Sequence, residues 1–557
     1  MTNRLSVIVQ RLQMGWIPYA ILAVILGITY SVLALRGFNL GFYGDVVAYQ
    51  YHYTFDGLVG GMNWLIAEHW ERHLLGAWFS APLHMIVPHR YDLWYALTLG
   101  LHVSLGMMIF LLVDTLQSGQ RRWLAFAVAF FFVFDTFQTP SNLEFATGSH
   151  RKGSLILALI SLWAYIHFIR SKRQQLNWYI LNVGTFILAI MIYEQSFFFF
   201  VLHPLIALVE ERHSGDAKLT LNYLWVLIRG SILHVMTVLI YTYLLVSLFV
   251  DGNDNLELTP AYILSQIRDG LQFQFSPIDI AERLSQAIQI SPMWFVVLVA
   301  GLVLLFFGAW IWHSTDDKTT DTPWTPLWLI AFGLLLMLLN LLNASPTVWT
   351  FDTHSRLIYA SSIGTGMVIF GFLAWITGFN RKVGSIVFAI VLAIFLSPGI
   401  PFLYEYQEIY LEQDETSNAV YQAIYDAIPR FADNAEPYLI LITDVHPDND
   451  LALHPQDFNF PRVFALHYNI ENFRADAVLY DVDESLTDQL IQLTDIGIIS
   501  PLRPDEIIDY TRVIVISYDS VLNTVTILDD LPDNVLARGN FDMQAGKRIE
   551  TNYDLLP

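Results

Sequence analysis

Long apolar runs constrain this chain more than any other feature. Each is about 20 residues, the length an α-helix needs to cross the hydrocarbon core of a bilayer. They fall at about 16–36, 91–114, 122–139, 153–170, 177–193, 195–210, 223–250, 292–313, 324–343, 357–378 and 383–400. The expected fold is therefore a polytopic α-helical membrane protein with about 11 transmembrane helices. A further apolar stretch at 74–87 is short and holds Pro82, so it is expected at the interface rather than across the membrane.

Charge divides the chain in two. Only 14% of the 557 residues are charged, against about a quarter in soluble domains. Residues 401–557 carry 29 Asp and Glu but 8 Lys and Arg, whereas residues 1–400 carry 22 acids and 21 bases. Residues 1–400 thus read as a transmembrane domain with a large first external loop at 37–90. Residues 401–557 read as an acidic soluble α/β domain. Its helical start (YQEIYLEQDETSNAVYQAIYDAI) precedes β-like runs at 438–443, 462–468, 477–482, 512–518 and 524–528, with polar or helical pieces such as 484–497 between them. Its acidity argues against nucleic acid and anionic lipid headgroups as partners of that domain. The chain has no cysteine, which excludes disulfides, thiolate catalysis and Cys-based zinc sites.

Basic residues set the expected orientation. The short loops QSGQRR, RSKRQQ and FNRK belong in the cytoplasm by the positive-inside rule. Arg4 and Arg11 precede the first apolar run and no small-residue cleavage site follows it, so the N-terminus reads as a cytoplasmic signal anchor. The external face then receives the loops 37–90, 140–152, 251–291 and 342–356, the tight turn 193–195, and the acidic domain. A bacterial or archaeal plasma membrane is the expected location. Within 251–291, two amphipathic helices are expected to lie on the membrane or cap a cavity.

Chemistry is expected at that face. The stretch 41–73, GFYGDVVAYQYHYTFDGLVGGMNWLIAEHWERH, sets Asp45, Asp56, Glu68 and Glu71 among aromatic residues, with His52, His69, Arg72 and His73. His150, Arg151 and Lys152 stand where the fourth span begins, Glu194 lies between two closely spaced spans, and Asp352, His354 and Arg356 precede the tenth. A carboxylate at a membrane boundary costs a few kcal/mol and persists when it pairs, lines a wet cavity or acts. Cations on the external side run against the topogenic bias, and snorkelling to headgroups or binding a phosphate are both open to them. A polyprenyl phosphate would set its tail between helices and its phosphate against Arg and Lys. A nearby carboxylate would deprotonate an acceptor hydroxyl for attack on the sugar. The aromatics suit sugar rings and equally suit a membrane-interface belt. Carboxylate-rich loops also suit Mg²⁺ or Mn²⁺, so a divalent cation is possible here, although the spacing is not diagnostic.

This layout resembles the GT-C superfamily of membrane glycosyltransferases, which use polyprenyl-phosphate sugars. The resemblance rests on the acid after the first span (Gly44-Asp45, with Asp56 further on), the segment Trp70-Glu71-Arg72-His73, the turn Tyr193-Glu194-Gln195 and the terminal soluble domain. It implies a catalytic group of Asp45, Asp56 and Glu194, with Asp45 as general base. It implies donor-phosphate contacts from Arg72, Arg151, Lys152 or Arg356, with His73, His150, Asp352 and His354 lining the substrate. The partners implied are a polyprenyl-phosphate-linked sugar donor, a glycan, lipid or protein acceptor, and membrane lipid. The family's paired acids are absent, since Val46 and Val47 follow Asp45, which leaves the base open between Asp45 and Asp56. Two other classes compete: a lipid or glycan transporter or flippase, and a non-catalytic membrane scaffold with an acidic binding domain. Spans that are mostly free of charge, with polar groups gathered at one face, favour interfacial chemistry over transport.

Overall fold

The computed structural model describes residues 45–64, 91–119, 121–133, 146–213, 230–243, 259–276, 324–345, 359–377, 399–443 without 434, 459–478, 491–537 without 502, 541–543 and 548–557, with scattered single positions between them. Two compact units result. One holds Met1–Phe38, Leu65–Pro82 and Asp92–Gln407; the other holds Asn39–Trp64, Leu83–Tyr91 and Glu408–Pro557. Helices α1 (Asp45–Phe55) and α2 (Gly57–Trp64) come from the first external loop. Then follow α3 (Tyr91–Leu116), α4 (Arg122–Val133), α5 (Ala146–Arg170), α6 (Leu176–Ile192), a 3-10 helix (Glu194–Val201), α7 (Leu202–His213), α8 (Gly230–Tyr243), α9 (Pro260–Phe275), α10 (Pro326–Ala344), α11 (Ser361–Thr377) and α12 (Gly399–Ala427).

Among the described residues, three helices are long and apolar enough to cross a membrane: Asp92–Leu116, Ser149–Arg170 and Pro326–Ala344. Four shorter apolar helices, Leu124–Val133, Leu176–Ile192, Gly230–Tyr243 and Ser361–Ile376, match further expected runs. The expected span at 195–210 is not a single α-helix, because its first seven residues belong to the 3-10 helix Glu194–Val201. The runs at 16–36, 292–313 and 383–400 lie almost entirely outside the described residues. Exposed Ile180, Leu188, Leu239, Ile240, Leu334, Leu338 and Trp375 give these helices outward apolar faces, as lipid-facing surfaces require.

Local chemistry explains the bundle. Thr325 caps α10 and Pro326 opens it with a fixed φ and no amide hydrogen to satisfy. Helices α10 and α11 cross closely because Gly333 and Gly364 meet: a Cβ on Gly364 would lie 2.4 Å from the Gly333 oxygen. Of the two amphipathic helices expected in 251–291, the first forms as α9. It lays Ile267, Leu271 and Phe275, four residues apart, on Met337, Leu341 and Ala344 of α10. Gln274 completes the contact, donating to Ser361 Oγ at 2.6 Å and accepting from the Thr365 hydroxyl. The second expected helix lies outside the described residues but for single positions. At one end of the bundle Arg170 clasps Glu210 through two hydrogen bonds of 2.8 and 2.9 Å, and the Trp324 indole donates to the same carboxylate at 2.8 Å. Gln117 donates to the Trp324 carbonyl at 3.1 Å.

The second unit is built on two sheets. The first has strand order β2-β1-β6-β7, from β1 (Tyr438–Thr443), β2 (Arg474–Val478), β6 (Val513–Asp519) and β7 (Thr524–Leu528). Strand β1 runs parallel to both neighbours, with Tyr438 opposite Arg474 and Val513, and is buried from Tyr438 to Ile442. That two-sided burial is why the run from Tyr438 to Ile442 is apolar rather than alternating. The second sheet has order β5-β4-β3-β8, from β3 (Ile491–Leu493), β4 (Ile498–Ile499), β5 (Ile507–Ile508) and β8 (Phe541–Met543).

Three sequence expectations change here. Residues 462–468, expected as a strand, belong to helix α13 (Asn459–Tyr468), because Phe460 and Phe464 recur at the helical interval and both enter the core. The strand expected at 477–482 begins earlier, at Arg474. Within the stretch expected as polar or helical, Ile491–Leu493 is β3. Helices α1 and α2 pack in this unit: Tyr51 lies in the core with Phe460, Phe464 and Ile514 and donates to the Glu471 carbonyl at 2.5 Å. Gly57, the first residue of α2, sits at φ +69°, a conformation that side chains resist.

Asp476 gives this unit a pH response. It is fully buried on β2 and accepts the Tyr438 hydroxyl at 2.5 Å. Burial pushes its carboxyl up to about 7, against opposing hydrogen bonds from Tyr438 and Ser500. The unfolded chain releases this proton near pH 4, and the folded unit holds it to about 7. The contribution to stability is therefore full below about pH 4 and falls by a few kcal/mol as pH rises to about 7. Hydrogen exchange at β1 and β2 across that range should show the loss, and Asp476→Asn should flatten it.

Candidate functional site

The first turns of α5 carry the densest group of buried basic side chains among the described residues. His150 is fully buried, and Arg151 and Lys152 are 5% and 1% exposed. They lie at the opposite end of α5 from Arg170, about 27 Å away by helical rise. The Arg151 guanidinium is held by Tyr193: its Nε donates to the phenol oxygen at 3.1 Å, and Cζ lies 5.4 Å from the ring centroid.

Tyr193 is the C-cap of α6 and is extended, at φ −159° and ψ 133°. The chain turns there directly into the 3-10 helix that Glu194 opens. A helix end leaves carbonyls in need of donors. Ser154 on α5 supplies one donor there, with Oγ 2.8 Å from the Ala189 oxygen, which also accepts the Tyr193 amide, 3.1 Å from the Tyr193 oxygen and 2.9 Å from Ser196 Oγ. The turn expected to carry Glu194 is thus pinned to the helix that carries Arg151 and Lys152.

Two residues that sequence reasoning missed join this group. His102 on α3 is fully buried between the Tyr359 hydroxyl, 2.7 Å from Nδ1, and the Val133 carbonyl, 3.0 Å from Nε2. The carbonyl can only accept, so Nε2 carries the hydrogen and Nδ1 accepts from Tyr359. His102 lies in the electrostatic reach of Lys152, and Tyr359 in that of Arg151. A histidine inside an apolar span was the available signal for His102.

The remaining expected residues fall elsewhere. Asp45 opens α1 in the other unit. Asp56 follows α1 there, exposed, with Oδ2 2.7 Å from His52 Nδ1. His52 stacks on Trp64, with ring centroids 3.8 Å apart, and Arg462 of α13 lies over the rings of Tyr51 and Trp64. Tyr49, Tyr51 and Tyr53 are buried, so these three form neither a membrane belt nor an open sugar platform. Arg72, His73, Asp352, His354 and Arg356 lie outside the described residues. No three His, Cys, Asp or Glu side chains cluster as a metal site among the described residues.

No protein-family model matches the chain, and no curated relative matches it. Among solved structures it is similar to the crystal structure of the Archaeoglobus fulgidus oligosaccharyltransferase in the apo form, at 12% identity and a TM-score of 0.39. The match covers 82% of this chain and 64% of that one.

Proposed function

We propose that the chain is a membrane glycosyltransferase. It moves a sugar from a polyprenyl-phosphate donor to a glycan, lipid or protein acceptor at the extracytoplasmic face. The observation that carries this reading is the adjacent, buried pair Arg151 and Lys152 at the end of a helix long enough to cross a membrane. An arginine and a lysine side by side suit a phosphate, which both bind through charge-assisted hydrogen bonds. A lipid phosphate supplies the charge at the depth where its apolar tail can remain among helices.

The acceptor hydroxyl attacks the anomeric carbon as its proton passes to a carboxylate, with Asp45 the first choice and Asp56 the reserve. The bond from that carbon to the phosphate oxygen breaks, and the lipid phosphate leaves with the electron pair. Arg151 and Lys152 stabilise the charge that develops on it. Tyr193 and Ser154 keep the guanidinium and the turn beside it in place.

Arg151→Gln and Lys152→Gln test the reading in membranes containing the full chain, with synthetic polyprenyl-phosphate sugars as donors. Loss of one charge-assisted contact is expected to raise the donor KM about 10- to 100-fold. Wild-type donor kinetics in both variants, or no transfer from any such donor, would remove the proposal.

A further inference from the structure

Helices α1 and α2, which carry or adjoin both candidate bases, form a tight hairpin. A Cβ on Gly61 would lie 2.6 Å from the Tyr53 ring and 3.1 Å from the Tyr53 backbone nitrogen, and one on Gly60 would lie 2.5 Å from Asp56 Cβ. Only glycine permits so close an approach. Asp56 is tied to α1 twice: its amide donates to the His52 carbonyl at 2.9 Å, and its carboxylate lies 2.7 Å from His52 Nδ1. The place of that carboxylate is therefore set by α1 and by the His52 ring.

A line of contacts fixes the ring. Trp64, the last residue of α2, stacks on His52 with centroids 3.8 Å apart and planes 14° from parallel. Tyr51 meets the other side of this group edge-on, 4.9 Å from His52. Arg462 of α13 reaches both rings, with Cζ 5.6 Å from the Trp64 centroid and 5.8 Å from that of Tyr51. Those distances are within the range of cation–π attraction, to which a planar guanidinium is well suited. Phe460 and Phe464, on either side of Arg462 in the chain, enter the core and anchor the helix that presents it. The line thus runs from the acidic domain through Arg462, Trp64 and His52 to Asp56, whose side chain is 37% exposed. Tyr51, Phe460 and Phe464 already supply the apolar area that joins these elements. A cation over two rings adds direction to that join, and it does so at the end of the hairpin nearest the exposed carboxylate.

We propose that Arg462 is a positioning residue for sugar transfer. It holds α1 and α2, and with them Asp45 and Asp56, where the base must act. The inference rests on the reading that this loop supplies the base, and it makes the acidic domain part of the catalytic unit rather than an appended binding module.

The test uses membranes containing the full chain and the same synthetic donors. Arg462→Met keeps an apolar stem and removes the cation. It is expected to lower kcat about 10- to 100-fold, as displacement of a reacting group by about 1 Å does. The donor KM and the number of donor sites per chain should stay at wild-type values, whereas a merely structural role would reduce the number of sites. Arg462→Lys retains the charge and should recover most of the rate. Trp64→Leu should also slow transfer, and combining it with Arg462→Met should add little, because both changes break one line of contacts. Hydrogen exchange over residues 46–64 reads the clamp without substrate, and Arg462→Met should speed it about 2- to 30-fold. Wild-type kcat or wild-type exchange in Arg462→Met would overturn the proposal and leave the donor reading standing. So would losses that multiply in the double variant. Absence of transfer in wild type would instead remove the functional reading, and this role with it.

Discussion

Asp45→Asn is expected to slow sugar transfer about 10²–10⁴-fold while leaving donor KM near its wild-type value. Asparagine matches aspartate in size and cannot take a proton, so the change removes only the base. Asp45 begins α1, and asparagine is as well suited to a helix start as aspartate. A structural role would therefore show as a small loss of stability with transfer intact. A catalytic role shows as loss of rate, with the acidic limb of the pH–rate profile removed. Asp56→Asn belongs beside it. Asp56 is exposed and paired with His52, so its loss should cost less. Full activity in both variants would end the assignment of a base to this loop.

The largest expected effect on folding belongs to Gly364. A Cβ there would lie 2.4 Å from the Gly333 oxygen and 2.7 Å from the Met337 backbone nitrogen. Both atoms are helix backbone and cannot turn aside as a side chain would. Gly364→Ala must push α10 and α11 apart, at about 1–3 kcal/mol or more. Gly364→Leu should leave little folded protein in detergent. The matched control is Gly184 on α6, where an added Cβ meets nothing within 4 Å. Gly184→Ala should be neutral or stabilising by about 0.5–1 kcal/mol, because alanine favours a helix interior. Similar melting temperatures for Gly364→Ala and Gly184→Ala would show that the crossing is not a close one.

What could be read from the sequence was set by the range of each signal. Length and apolarity are local, so the runs that became α3, α5 and α10 were legible, as was the basic group at the start of α5. The all-buried strand β1 was legible for the same reason. Helix α13 was misread because RVFALHY is short and rich in strand-forming residues. Its helical spacing emerges only when Phe460, outside that window, is counted with Phe464. The break at Tyr193 was expected as a turn, but the 3-10 helix after it, which Ser154 contacts from α5, had no signal in the sequence. His102 and Tyr359 are 257 residues apart, and nothing in either neighbourhood announces the other. The same holds for Tyr51, whose aromatic loop reads equally well as a membrane belt until its partner at Glu471 is known.

That last pairing sets a timetable for making the protein. Tyr51 and Glu471 are separated by 420 residues. At about 5–20 residues per second, the ribosome takes roughly 20–80 s to travel between them. Throughout that interval α1 has emerged without the surface that buries Tyr51 and Phe55. The early loop therefore needs a holding arrangement, such as the bilayer surface or a chaperone, until the late helix α13 arrives. A chain terminated before residue 459 would leave that wait unresolved, so damage at the end of the coding sequence would register near its beginning.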